Sequence, residues 1–328
     1  MINRNAQIYY LCTGFRHIVR PLQPLYRDHM WLILAFISAF LLGLYEVFKK
    51  VSLTSNAVIP VLFLNVLFCC ILFIPVIILS RFFPETIQNS AFYLPEHPLR
   101  IHILLTFKAI IVLTSWIFAY FSIKHLPITI ASPIKATQPI LTLLGAMLIF
   151  EERLNAWQWI GVLMAIISFY LLSFSGRKEG IRFSHNKWIY FMVLAIVTGS
   201  CSGLYDKYLM TQTDRMTVQV WSYFYQLVIM GGILLILWYP KRKTSTPFQW
   251  KNTIPLISLF LILADFVYFY ALSYDDSMIS IVSLVRRSGV IVSFVAGVIF
   301  FKEKNLRAKA LDLLLILLGM YFIYLGSQ

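Results

Sequence analysis

Two groups of side chains in this chain could do chemistry on a small molecule. Lys135, Arg286 and Arg287 are cations inside long apolar runs, and Glu46, Asp206 and Asp265 are carboxylates inside others. A cation at the centre of a membrane span costs about 2.5–3.5 kcal/mol on insertion scales, so something must offset three of them. A bound anion could: Arg presents a planar fork to carboxylate or phosphate, and Lys a compact charge. Internal carboxylates could equally hold the cations in place. Arg286 and Arg287 differ by about 100° around a helix, so only one points squarely into a cavity, and the repeat register favours Arg286.

The carboxylates carry two readings of their own. A buried acid can load and release a proton as access alternates. Alternatively, Asp265 forms a fixed ion pair with Arg286 or Arg287, and Glu46 an i,i+4 pair with Lys50. Lys108 and Asp312 also lie within spans, with no role beyond packing pairs. Trp116 and Tyr120 share a face of the third span, and Tyr268 follows Asp265 by three residues, so all three are candidates for an aromatic cavity wall. Pro133 and Pro139 flank Lys135, and Pro60 and Pro75 lie in the second span; each frees backbone carbonyls and kinks a helix.

The elements that position these groups are membrane helices. The 328 residues are 59% hydrophobic and only 13% charged, beyond the range of soluble domains. Runs at about 30–48, 57–80, 101–123, 127–150, 155–175, 188–210, 217–239, 254–274, 277–301 and 308–326 give ten spans joined mostly by short loops. The net charge of +14 sits mainly in those loops, where topology rules place it, so nucleic acid is not the partner. Cys12, Cys69, Cys70 and Cys201 form no framework and read as packing thiols. Residues 1–29 contain no signal peptide; they read either as a mis-called start or as a basic amphipathic arm.

The chain repeats itself. Adding 151 carries Lys135 to Arg286, Ser132 to Ser283, Phe150 to Phe301, Glu152 to Glu303 and Tyr170 to Tyr321. Gly43-Leu44-Tyr45-Glu46 matches Gly203-Leu204-Tyr205-Asp206 at an offset of 160. Two units follow, 30–175 and 188–326, with five spans each; an odd number inserts the second unit upside down. The fold class is therefore an all-α integral membrane protein, ten transmembrane helices as two inverted five-helix repeats. Lys and Arg number 8 on the N-terminal side of these spans and 14 on the other, which points both termini outward.

The fourth-to-fifth span unit PIKATQPILTLLGAMLIFEERLNAWQWIGVLMAIISFYLL and its copy SLVRRSGVIVSFVAGVIFFKEKNLRAKALDLLLILLGMYFIYL resemble the drug/metabolite transporter superfamily, specifically its EamA-like members. A glutamate shortly after the fourth span of each repeat is typical there, and Glu152 and Glu303 match it. The resemblance implies ten helices, an inverted repeat, a central cavity with alternating access, and cytoplasmic termini, against the charge count. It implies substrates such as amino acids, other metabolites, nucleotide sugars or phosphorylated sugars. Plastid triose-phosphate exchangers bind phosphate through a lysine in the fourth span and a Lys-Arg pair in the ninth. Lys135 and Arg286-Arg287 are similar, with Arg in place of the first Lys.

The expectation is a secondary transporter in the plasma (inner) membrane, moving a small anionic or zwitterionic metabolite, with proton coupling through Asp265 and a homodimer left open. The runner-up is a flippase, or flippase subunit, for a lipid-linked anionic headgroup. Gly199-Ser200-Cys201-Ser202-Gly203 has Cys where a hydrolase elbow has Ser, and reads as Gly-x-x-x-Gly packing. Neither a nucleotide-binding Gly-rich loop nor a metal motif is present, so no cofactor and no enzyme activity is expected.

Overall fold

Long apolar runs without water can satisfy their backbone only internally, which makes them helices. The computed structural model describes residues 30–88, 90, 92–150, 155–177, 185–274, 282, 285–303 and 306–326, with no strand among them. The helices are α1 (Met30–Leu53), α2 (Val58–Phe82), α3 (Leu99–His125), α4 (Ile128–Ala136), α5 (Gln138–Phe150), α6 (Ala156–Arg177), α7 (Lys187–Met210), α8 (Arg215–Ile233), α9 (Thr253–Leu272), α10 (Val290–Ile299) and α11 (Leu306–Leu325). A single turn, Pro84–Ile87, follows α2, and a π turn at Leu234–Trp238 extends α8. Residues 1–29, Glu152 and Ser283 lie outside the described residues, as does the side chain of Tyr170.

Among the described residues six helices are long and apolar enough to cross a membrane: α1, α2, α3, α7, α8 with its extension to Lys241, and α9. Their outer faces are apolar and exposed, as at Phe36, Phe40, Phe107, Val228 and Ile236, while Lys49, Asn56, Asn65, Lys108 and Asp206 are buried inside. That inside-out distribution suits lipid as the outer solvent.

The packing couples the two halves of the sequence. α1 lies against α9 and α3 against α7; α2 packs on α8, α4 on α10, and α6 on α11. Each of these contacts joins helices at matching or exchanged positions of the two repeats. Side chains then fasten one end of the bundle. Lys50 donates to the carbonyls of Ile123 (2.7 Å) and Leu126 (2.5 Å), closing the C-terminus of α3. Asn56, fully buried, exchanges hydrogen bonds with the backbone of Gln249 (2.7 and 2.8 Å) ahead of α9. At the same end Lys302 adopts a left-handed conformation (φ 49°) and turns the chain after α10. Glu303 then accepts from the backbone N–H groups of Ile128 (2.7 Å) and Thr129 (3.0 Å), the first turn of α4. A carboxylate at a helix N-terminus satisfies orphan donors and complements the helix dipole.

The fourth predicted span is broken, and so is the ninth. α4 stops at Thr137, whose N–H (3.1 Å) and Oγ1 (2.7 Å) both donate to the Ile134 carbonyl; α5 restarts with Ile140 N–H on the Thr137 carbonyl (3.0 Å). In the ninth span Ser288 makes the same pair of bonds to the Val285 carbonyl (2.9 and 2.7 Å), and Ile291 N–H reaches the Ser288 carbonyl (3.0 Å). These positions differ by 151 throughout, so the repeat extends to the hydroxyl that closes each break. Prolines 133 and 139 account for the first break, since Pro139 has no N–H to donate. The second uses Gly289.

Candidate functional site

Each break lies one to two residues beyond the cations, so Lys135 and Arg286–Arg287 sit on the last turns of half-helices. They face a cavity of about 160 Å³ bounded by α1, α3, α4, α5, α7, α8, α9 and residues 286–287. Its wall carries Lys49, Lys108, Lys135, Arg286 and Arg287, with Asp206 and Asp265. Glu46 adjoins it beside Lys135, Arg286 and Arg287. Basic groups thus outnumber carboxylates around one shared space.

The charges fall into two clusters. In the first, Glu46 Oε1 accepts from Lys135 and its Oε2 stands 2.6 Å from the Nζ of Lys49. Lys49 is fully buried, with Nζ 4.3 Å from the ring centroid of Tyr45 and 5.1 Å from that of Tyr120, a cation–π setting that partly replaces lost hydration. In the second, Lys108 of α3 pairs with Asp206 of α7, and Arg286 pairs with Asp265 of α9. Tyr223 donates to the other oxygen of Asp265 at 2.7 Å, and the Arg286 guanidinium lies 4.2 Å from the Tyr268 ring. The second cluster is balanced, with two cations and two carboxylates. In the first, two lysines share one carboxylate. Arg287, half-buried on the same wall, makes no ion pair or hydrogen bond among the described residues.

The candidate binding and coupling residues named from the sequence all lie at or beside this cavity. Trp116 and Tyr120 line it from α3, Tyr268 from α9, and Trp116 stands 6.1 Å from the Tyr223 ring. One pairing is corrected. Glu46 does not pair with Lys50, which spends its charge on the carbonyls at the end of α3; it pairs with Lys49 and Lys135. The reason is direction: on α1, which runs to Leu53, Lys49 faces the cavity with Glu46 while Lys50 faces the end of α3. Lys108 is likewise more than a packing residue, since it lines the cavity. Lys49 was missed because it was placed in a loop; its signal was the i,i+3 spacing from Glu46.

Small residues shape the wall unequally. At Gly43 of α1 a Cβ would meet Val292 Cβ at 2.5 Å and the Gly289 carbonyl at 2.7 Å, so α1 crosses α10 in direct backbone contact. Gly203 is the counterpart of Gly43 in the GLYD copy, yet a Cβ there meets nothing within 4 Å. The repeat places Gln138 where the other half has Gly289, and its amide fills the space beside Gly199 (2.9 Å from a Cβ there). α7 still packs on α5 through Gln138, Gly199 and Ser200, whose hydroxyl donates to the Gln138 carbonyl (3.2 Å), but Gly203, a turn further on, is left on the cavity wall. Within Gly199–Gly203 the packing reading therefore applies to Gly199 alone. No group of three or more His, Cys, Asp or Glu side chains could hold a metal among the described residues.

The sequence matches the family model described as "EamA-like transporter family" twice, over residues 29–174 and 186–325. A solved structure titled "Crystal structure of protein" is similar in fold, with a TM-score of 0.59 at 13% identity, covering 89% of this chain and 98% of that one. Comparison with curated proteins gives no match.

Proposed function

The chain belongs to the EamA-like transporter family of the drug/metabolite transporter superfamily, and on that premise we propose that it carries a small organic anion or zwitterion by alternating access. In this reading ten spans form two inverted five-helix units, 30–175 and 188–326, in the plasma (inner) membrane, and the half-helices around residues 137 and 288 bend as the units rock. The observation that carries the proposal is the uneven charge on the cavity wall: Lys49 and Lys135 share Glu46, and Arg287 makes no ion pair among the described residues. An anion between these three cations supplies the missing countercharge in a medium where unpaired charge is costly. Arg287 engages its oxygens with the guanidinium fork, and Arg286, paired with Asp265 until the anion arrives, turns toward the same group.

Size supports a small organic ligand. An engineered cavity of about 150 Å³ takes up benzene, so this one suits a ligand of roughly six to ten heavy atoms. Coupling to protons enters through Asp265: an anion that draws Arg286 away leaves this carboxylate to be neutralised by a proton.

Uptake of organic anions into proteoliposomes tests the reading. Arg287→Gln leaves every observed ion pair intact, so this variant should fold and insert normally yet lose uptake by at least about tenfold, the loss of one charge-assisted contact of ~1.4 kcal/mol or more. Unchanged uptake by Arg287→Gln would reject the assignment, and absence of anion uptake by the unaltered protein would reject the function.

A further inference from the structure

The wall formed by α8 is polar where apolar packing would serve the helix better. Gln219, Ser222, Tyr223 and Gln226 follow one another at i, i+3, i+4 and i+7, the spacing of a single helix face, and all four line the cavity. Two of them are committed: Gln219 Nε2 donates to the Ile262 carbonyl (3.2 Å) and Tyr223 to Asp265. The other two are not. Ser222 and Gln226 are 3% and 2% exposed, and neither Ser222 Oγ nor Gln226 Oε1 has a hydrogen-bond partner. The hydroxyl of Tyr120, fully buried on the facing helix α3, lies beside that of Tyr45 on α1 and completes the polar wall. Its ring also borders Lys49, so the neutral hydrogen-bonding groups begin where the cationic cluster ends. Buried polar atoms are nearly always satisfied, and two open ones a turn apart on one cavity wall point to a ligand that satisfies them.

We infer that Ser222, Gln226 and Tyr120 form a subsite for hydroxyl groups, so that the transported species is a hydroxylated organic anion, either a hydroxycarboxylate or a polyol phosphate. This rests on the anion reading above and narrows it. A donor and acceptor hydroxyl suits all three atoms: Gln226 Oε1 accepts, while the Ser222 and Tyr120 hydroxyls give or take a proton. An alkyl or aryl anion of equal charge leaves Ser222 and Gln226 unpaired. A site built for a hydroxyl discriminates strongly against the analogue lacking it, because the stranded groups are the penalty.

The test is ligand-induced thermal stabilisation of the full-length protein in detergent at constant ionic strength, with two matched pairs of probes. Glycerate is compared with butyrate, and glycerol 3-phosphate with propyl phosphate; the two pairs separate carboxylate from phosphate as the charged end. The hydroxylated member of at least one pair should raise the melting temperature at a concentration at least about tenfold lower than its alkyl partner. In a Ser222→Ala, Gln226→Leu double variant both members should act alike, with the anion response kept. That variant removes only unpartnered groups, so it should fold; Ser222→Ala alone, expected to reduce the preference partially, serves as a second check. Equal responses to both members of each pair, or a preference that survives the double variant, would overturn the hydroxyl subsite and leave anion binding standing. No response to any of the four anions would overturn both.

Discussion

The same substitution at two repeat-related positions should have opposite consequences. Gly43→Ala places a methyl 2.5 Å from Val292 Cβ and 2.7 Å from the Gly289 carbonyl. Carbon atoms pack best at about 3.5–4.0 Å, so α1 and α10 must separate by roughly 1 Å or more. Backbone cannot swing aside as a side chain can, and overpacking of this kind costs about 1–3 kcal/mol. Gly203→Ala meets nothing within 4 Å and gains the helix preference of Ala over Gly, about 0.5–1 kcal/mol. That gain applies equally at both sites and cancels in the comparison, leaving about 1–3 kcal/mol as the cost of the crossing alone. Equilibrium unfolding in mixed micelles reads this directly, as a midpoint lowered for Gly43→Ala and unchanged or raised for Gly203→Ala. Equal midpoints, or the reverse order, would refute the claim that Gly43 sits in a closed crossing of α1 and α10 while Gly203 faces open space.

Two further outcomes follow from buried charges. Glu46→Gln leaves Lys49 and Lys135 without a carboxylate and should destabilise by about 3–5 kcal/mol, with much of the loss recovered when Lys49→Met is added; thermal unfolding of the single and double variants checks both halves of that statement. Glu303→Ala strips the first turn of α4 of its acceptor and should cost about 1–2 kcal/mol, measured by the same unfolding midpoint, whereas Glu85→Ala on an exposed turn should cost nothing measurable.

Much of the site was legible in the chain because hydrocarbon is an unforgiving solvent. Lys135, Arg286, Arg287, Glu46, Asp206 and Asp265 stand out in apolar runs, and each charge must find a partner or a cavity. The structure brings all six to one cavity. Pro133 and Pro139 announced the first broken helix, and the offset of 151 carried Lys135 to Arg286 beside the second. Which acid meets which base was not legible. Lys108 with Asp206 and Asp265 with Arg286 join different helices, and such pairings depend on how whole helices are rotated and placed. Nor could adjacent positions be ranked. Lys49 enters the site and Lys50 caps α3 because the rotation of α1 turns one to the cavity and the other to the end of α3. Asp265 pairs with Arg286, and Arg287 makes no ion pair among the described residues.

Local sequence thus determined the helices, the two-fold repeat and the set of charges that had to be hidden from lipid, since each depends on local residue patterns and on the solvent they meet. Tertiary structure alone decided the distribution of those charges, the closed crossing at Gly43 against the open wall at Gly203, and the unpartnered Ser222 and Gln226 on α8. Each of these is set by contacts between segments far apart in the chain, where one turn of helix or one missing Cβ changes the neighbour.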